Sequence, residues 1–374
     1  MSRLADLGIS PLINAAGAYT MFGGSRLAPG VREAMAEPAD VFIDLDRLQR
    51  RVGARIAQLT GNEACFVASG AAAGVAIAVA ACVAGMNPEA IDAFPVRDDH
   101  EVVLQRAQRN GYDYSARMTG ARLVEIGGPG GTGADELRLA IGPRTACVLV
   151  FAGSVYEAEA LPLPDVIAVA HAAGVPVIVD AAGQIPPVAN LWRYTTQDGA
   201  DLAIFSGGKG LRGPQTTGLV LGRTRLVEAC LANANPRHSL GRPMKVGKEE
   251  LLGILAAIQW AMSVDEPAYL RACEAIVAGW LEGIADVPGV AAGRRTRGVA
   301  GEQVPQVFVR LLSGGAVERD ALIDALQRGD PGVATRPWGA DSIALNPMFV
   351  EPGEAPLVVR RLRDEIARLA PVET

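Results

Sequence analysis

Apolar and polar residues alternate along this chain in two distinct periods. Short apolar runs at 64–68, 101–104, 122–126, 146–151, 175–179, 202–205 and 216–221 have the length and composition of buried strands. Between them the apolar spacing becomes helical. Leu45, Leu48, Val52, Ile56 and Leu59 recur every three to four residues until Gly61 ends the pattern. Residues 71–84 read as a helix of mostly alanine and valine. A strand–helix rhythm of this kind predicts an α/β fold whose large, mostly parallel sheet is covered on both faces.

The flanks read differently. Residues 1–40 hold the apolar pair Leu12-Ile13, a glycine-rich stretch and a short helix at 31–36, which predicts an N-terminal arm that packs with a small domain or a partner subunit. A polar, turn-rich segment at 233–241 marks a domain boundary. The expected organisation is therefore an arm (1–40), a large domain (41–235) and a smaller α+β domain (236–374). The last contains a strand at 306–311 and a terminal strand and helix within 343–369.

Composition narrows the chemistry. With a net charge of −6 and 5% aromatic residues, the chain lacks the basic face and stacking platforms of a nucleic-acid binder. Cys65, Cys82, Cys147, Cys230 and Cys273 form no C-x-x-C pair, and His100, His171 and His238 are isolated, so no metal is expected. The longest apolar stretch is too short to span a bilayer and no secretory leader is visible, so a cytoplasmic protein is expected.

Three places carry chemistry. In DLAIFSGGKGLRGPQTTG, an apolar strand runs through Ser206 and two glycines into Lys209. The glycines let a flat group approach an amine that can condense with a carbonyl. Ser206 and Lys209 also match S-x-x-K, but the S-D-N and K-T-G partners of that acylase motif are missing. A phosphate-binding P-loop would need Ser or Thr after the lysine, where Gly210 stands. The second place is the strand, Ser69-Gly70, and helix from Ala71, which form a natural phosphate cradle. In the third, VIVDAAGQIPP, Asp180 ends an apolar strand where α/β sheets bind ligands, and Ala182 is small enough for a flat ring to lie against it. Gly128, Gly130 and Gly133 satisfy G-x-G-x-x-G, yet the next strand ends in Ala152-Gly153 rather than an acid, so no dinucleotide is expected.

A phosphate cradle, a strand-end carboxylate and a later lysine, in that order, are the parts that pyridoxal 5′-phosphate needs. The chain resembles the enzymes of the aspartate aminotransferase fold. Within them it is most similar to the group holding bacterial selenocysteine synthase and D-glucosaminate-6-phosphate ammonia-lyase. The blocks INAAGAYTMFGGS, FVASGAAAG, VIVDAAGQIPP, SGGKGLRGPQ, GRPMKVGKEE and GDPGVATRP carry the resemblance.

The resemblance implies that Lys209 binds the cofactor's aldehyde carbon and that Asp180 faces the pyridine nitrogen. Ser69, Gly70, Ala71 and Ser206 would hold the phosphate. The residue stacking on the ring stays open between Tyr112 and Asn110. Arg336, next to Pro337, is the candidate for the substrate carboxylate, with Arg26 next in line. Lys245, in a loop with Arg242 and Lys248, is the candidate for an anionic group reached across subunits. The implied activity is a lyase that eliminates water and ammonia from a hydroxylated, sugar-derived amino acid. A β-replacement transferase, a racemase or an aminotransferase could use the same core. The extra N-terminal segment that serves transfer RNA in selenocysteine synthase is missing here, so the expected partners are a small amino acid substrate and a second copy of the chain, without nucleic acid or membrane.

Overall fold

In the computed structural model, residues 3–97, 99–298, 301–312 and 315–369 are described. They form two compact units, one from Arg26–Val264 and the other from Met1–Ser25 with Asp265–Thr374.

Strand β1 (Leu12–Asn14) follows a short helix at Arg3–Asp6. The larger unit then supplies β2 (Ala64–Ala68), β3 (Glu101–Gln105), β4 (Arg122–Ile126), β5 (Thr145–Phe151), β6 (Val177–Asp180), β7 (Leu202–Ser206) and β8 (Gly218–Gly222). These seven pair in the order β2-β8-β7-β6-β5-β3-β4. Only β8 runs against its neighbours; the ladders from β7 to β4 are parallel. The alternating residues of the strands feed two separate cores. Val177 and Val179 pack on one face, and Ile178 on the other with Leu202 and Ile204.

Local sequence accounts for the helices that cover those faces. The helix Leu45–Thr60 starts where the Asp44 carboxylate accepts the Arg47 N–H at 3.0 Å, and it stops at Gly61 with φ 64°. The helix Ala71–Ala84 is apolar all round, as a buried helix should be. Its Gly74 lies close to Ile204 and Val220, letting the helix settle onto the sheet.

The smaller unit contains β9 (Val290–Arg295), β10 (Gln306–Leu311), β11 (Gly332–Ala334), β12 (Arg336–Trp338) and β13 (Ser342–Leu345). Four of these form an antiparallel sheet in the order β12-β13-β10-β9, while β11 pairs in parallel with β1. Val307, Val309, Ile343 and Leu345 face a core shared with Trp280 and Leu362 of the long helices Glu266–Ile284 and Ala355–Leu369.

The units divide at 25/26 and 264/265, whereas the sequence pattern put the boundaries at 40/41 and 235/236. Pairing of β1 with β11 draws the first residues into the smaller unit. The polar segment after Asn233 is an internal turn: the Gly241 N–H donates back to the Asn233 carbonyl at 3.0 Å. The helix Lys248–Ala261 then packs into the core of the larger unit through Leu251, Ile254 and Ile258.

Candidate functional site

Strands β2, β6 and β7 run in the same direction, so Ala68, Asp180 and Ser206, their last residues, end at one edge of the large sheet. Open α/β sheets bind ligands at this edge. The Ser69–Ala71 turn, the strand-end carboxylate and the lysine turn therefore lie along one sheet edge.

The cradle depends on a residue that the sequence pattern did not single out. Gly218, the first residue of β8, pairs with Ala68 on one side and Ser206 on the other. A Cβ at Gly218 would stand 2.5 Å from the Gly70 carbonyl carbon and 2.7 Å from the Ala71 nitrogen. A hydrogen there lets the Ser69–Ala71 turn close down beside Ser206. No side chain caps the helix that follows, so its first N–H groups and positive dipole end are available to an anion. Neither the Ser69 nor the Ser206 hydroxyl has a hydrogen-bond partner among the described residues. Hydroxyls and N–H groups around a space that a Cβ would fill suit a phosphate.

Lys209 sits in a tight turn. A Cβ on Gly210 would lie 2.1 Å from the Ile185 carbonyl oxygen, so the turn is pressed against the segment that follows Asp180. Arg212 closes it with a left-handed φ of 53°, the only such non-glycine among the described residues. The Arg212 N–H donates to the Lys209 carbonyl at 2.9 Å, its Nε donates to the Arg26 carbonyl at 3.0 Å, and its guanidinium rests 5.2 Å from the Trp260 ring centre. These contacts pin a conformation that is otherwise unfavourable for arginine. The Lys209 Nζ lies 5.9 Å from the centre of the Tyr112 ring.

Asp180 is 7% exposed, and its Oδ1 accepts the Ala182 N–H at 3.0 Å. Burial pushes its carboxyl above the usual carboxylate range, against the smaller opposing pull of the Ala182 N–H and the Lys209 charge. A group of positive charge placed against it would favour the ionised form. Tyr156, in a turn just past β5, belongs to the same cluster. Burial raises its phenol, and the Asp180 and Tyr112 charges add to the rise. Only its position past a strand end could have flagged Tyr156 in the sequence.

Of the two residues left open for the ring face, Asn110 accepts the Tyr112 N–H at 2.8 Å and donates to the Gln108 carbonyl at 2.9 Å, so its side chain is engaged within its own turn. Tyr112 is the one beside Lys209. The Gly128–Gly133 segment makes a closed turn, with Gly128 and Gly131 bonded to each other in both directions.

Arg26 is an exposed side chain on the strap whose carbonyl binds Arg212. Lys245 is exposed, while Lys248 of the same basic loop donates to the Pro38 carbonyl at 2.6 Å and the Ala39 carbonyl at 3.1 Å. Arg336 is in the smaller unit, its guanidinium 4.6 Å from the centre of the Tyr19 ring.

Comparison with known proteins finds a family and several similar enzymes. The pattern that defines the L-seryl-tRNA selenium transferase family matches residues 24–268. A 5′-C-glycyluridine monooxygenase-decarboxylase from Streptomyces sp is 34% identical, over 96% of this chain and 90% of its own length. A D-glucosaminate-6-phosphate ammonia lyase from Salmonella typhimurium is 30% identical over 96% of each chain. The solved structure of an enzyme of that name overlays 99% of both chains with a TM-score of 0.82 at 28% identity. A lysine-to-alanine variant of serine palmitoyltransferase from S. paucimobilis with a bound PLP–myriocin aldimine shares the fold alone, with a TM-score of 0.62 at 15% identity over 99% of this chain and 96% of its own.

Proposed function

The chain belongs to the L-seryl-tRNA selenium transferase family, and on that premise we propose that it is a pyridoxal-phosphate lyase removing water and ammonia from a hydroxylated, sugar-derived amino acid to leave a 2-oxo acid. One observation carries this reading most: a half-buried lysine amine stands within the field of a buried strand-end aspartate, in a chain that overlays a D-glucosaminate-6-phosphate ammonia-lyase along almost its whole length.

When bound, pyridoxal 5′-phosphate supplies an electron sink for charge developing at the substrate's α carbon. The residues of this chain do the rest. Ser69, Gly70, Ala71 and Ser206 would hold its phosphate. The Asp180 carboxylate would pair with its ring nitrogen, and Tyr112 and Ala182 would lie against the ring. The Lys209 amine would bind its aldehyde carbon, take the substrate's α proton and return a proton to the hydroxyl that leaves the adjacent carbon. Arg336 pairs its planar fork with the substrate carboxylate. The Tyr19 ring beneath it fixes that fork without neutralising it.

We place the active protein in the cytoplasm as a homodimer. No described helix is long and apolar enough to cross a membrane, and five unpaired cysteines suit a reducing compartment. Val41, Phe42 and Ile43 are consecutive and exposed, which suits burial against a second copy. Lys245 would then serve the neighbouring copy's anionic group.

A second reading is favoured by the match to the monooxygenase-decarboxylase, in which oxygen is consumed and the carboxylate is lost. Paired incubations separate the two. D-Glucosaminate 6-phosphate is supplied without any oxo-acid acceptor, once with oxygen and once without. Sustained release of ammonia and 2-oxo acid supports the lyase. Turnover that requires oxygen and releases carbon dioxide supports the second reading. A single turnover that stops in the amine form of the cofactor supports an aminotransferase.

A further inference from the structure

The segment that joins β3 to β4 is made of short helical turns at Arg106–Gln108, Gly111–Asp113 and Tyr114–Arg117. Turns this short make few backbone hydrogen bonds of their own. The Tyr112 side chain is 56% exposed, so core packing does not set where its ring stands. Its ring centre nevertheless lies 5.9 Å from the Lys209 amine.

Polar side chains do the fixing. The Gln108 Oε1 accepts the Phe151 N–H at 3.2 Å, which ties the start of the segment to the end of β5. Asn110 carries the restraint forward, donating to the Gln108 carbonyl and accepting the Tyr112 N–H. Asp113, the residue after the tyrosine, closes the turn from the other end. It is 2% exposed, and its two oxygens are taken by two arginines four residues away on either side. Oδ2 accepts from the Arg109 Nε, and Oδ1 accepts from the Arg117 Nε at 3.3 Å. Arg109 continues to Glu125 on β4, and the Arg117 guanidinium lies 5.0 Å from the Tyr114 ring centre.

A carboxylate buried this completely is costly to desolvate, and a buried ion pair is weak evidence for stability. Its effect here is geometric. Gripped by Arg109 before the turn and Arg117 after it, Asp113 leaves the intervening residues one arrangement, in which the Tyr112 ring is presented to Lys209. We propose that Asp113 is a positioning residue that holds the Tyr112 ring over the Lys209 amine, and through that ring steadies the cofactor. The role toward the cofactor rests on the pyridoxal-phosphate reading, whereas the hold on Tyr112 is measurable without cofactor.

The experiment is a double-mutant cycle on the full chain, first without cofactor. Acetic anhydride at low dose acetylates the lysines and the peptides are mapped by mass, with Lys245 as the reference in each sample. An aromatic face over an exposed ammonium favours the charged form by an amount equivalent to about a two- to fivefold change in free amine. Acetylation of Lys209 relative to Lys245 should therefore rise about two- to fivefold in Asp113→Asn and equally in Tyr112→Ala, and no further in the double variant. Arg109→Gln, which loosens the same carboxylate without altering it, should reproduce part of the rise, and it serves in place of Asp113→Asn if that variant does not fold. Unchanged acetylation in these variants, or rises that multiply when combined with Tyr112→Ala, overturns the proposal. An aspartate with a structural role alone would lower the unfolding midpoint without this dependence on Tyr112. The same proteins are then titrated with pyridoxal 5′-phosphate. Asp113→Asn and Tyr112→Ala should each weaken binding about three- to tenfold, and the double variant no more than Tyr112→Ala. Parental affinity in Asp113→Asn overturns the role toward the cofactor. Acetylation that behaves as expected in a parent that binds no cofactor means that the cofactor reading has failed and the hold of Asp113 on Tyr112 stands.

Discussion

Substituting Gly218 by alanine tests the cradle at its tightest point. The new Cβ would lie 2.5 Å from the Gly70 carbonyl carbon and 2.7 Å from the Ala71 nitrogen, both backbone atoms that no rotamer change can move. Restoring ordinary contact near 3.4 Å requires the Ser69–Ala71 turn to retreat by about 0.9 Å. Hydrogen bonds to a phosphate work at about 2.7–3.2 Å, so a retreat of that size removes one or two of them. At roughly 1.5 kcal/mol each, cofactor affinity should fall about 10- to 100-fold. Overpacking should also lower stability by about 1–3 kcal/mol. The assay is equilibrium titration of cofactor-free protein with pyridoxal 5′-phosphate, followed by tryptophan fluorescence, with thermal unfolding of the same cofactor-free samples. Gly133→Ala is the control: its φ is −99° and nothing lies within 4 Å of the added carbon, so neither quantity should move. Parental cofactor affinity in Gly218→Ala would refute the placement of the phosphate between the Ser69 turn and Ser206.

Three further outcomes are expected. Because burial raises the Asp180 carboxyl in the folded protein, the unfolded chain gives up that proton first. Stability of the cofactor-free form should therefore decline as pH climbs from about 4 through the raised folded value; Asp180→Asn should flatten this decline in a pH series of unfolding midpoints while abolishing turnover. Arg336→Lys should raise KM by about tenfold or more while the cofactor still binds, since an ammonium cannot reproduce the two-point contact of the fork; an unchanged KM would move the carboxylate to Arg26. Lys245→Ala should weaken cofactor or substrate binding without shifting the unfolding midpoint, and an active monomer by sedimentation would remove the cross-subunit role.

Much of the fold could be read from local pattern. The strand ending at Ala68, the helix starting at Ala71 and the strand ending in Asp180 are each encoded within a few residues, and the structure places them as expected. The strand order could not be read this way. Gly218 matters because β8 inserts between β2 and β7, a pairing between residues some 150 positions apart that leaves no trace in local periodicity. The same limit explains the displaced boundary, since a polar turn at 233–241 looks alike whether it separates domains or, as here, reverses the chain within one. Of the basic loop, Lys248 is committed to the carbonyls of Pro38 and Ala39, a long-range contact that charge spacing could not reveal.

The central claim is that Lys209 is the residue that binds the cofactor covalently, and reductive trapping tests it most directly. The cofactor-loaded protein is treated with borohydride, digested, and its peptides are mapped by mass. The account predicts one cofactor-sized adduct, on Lys209, and none in Lys209→Ala, whose unfolding midpoint without cofactor should match the parent. An adduct on another lysine, or none in the parent, would contradict it.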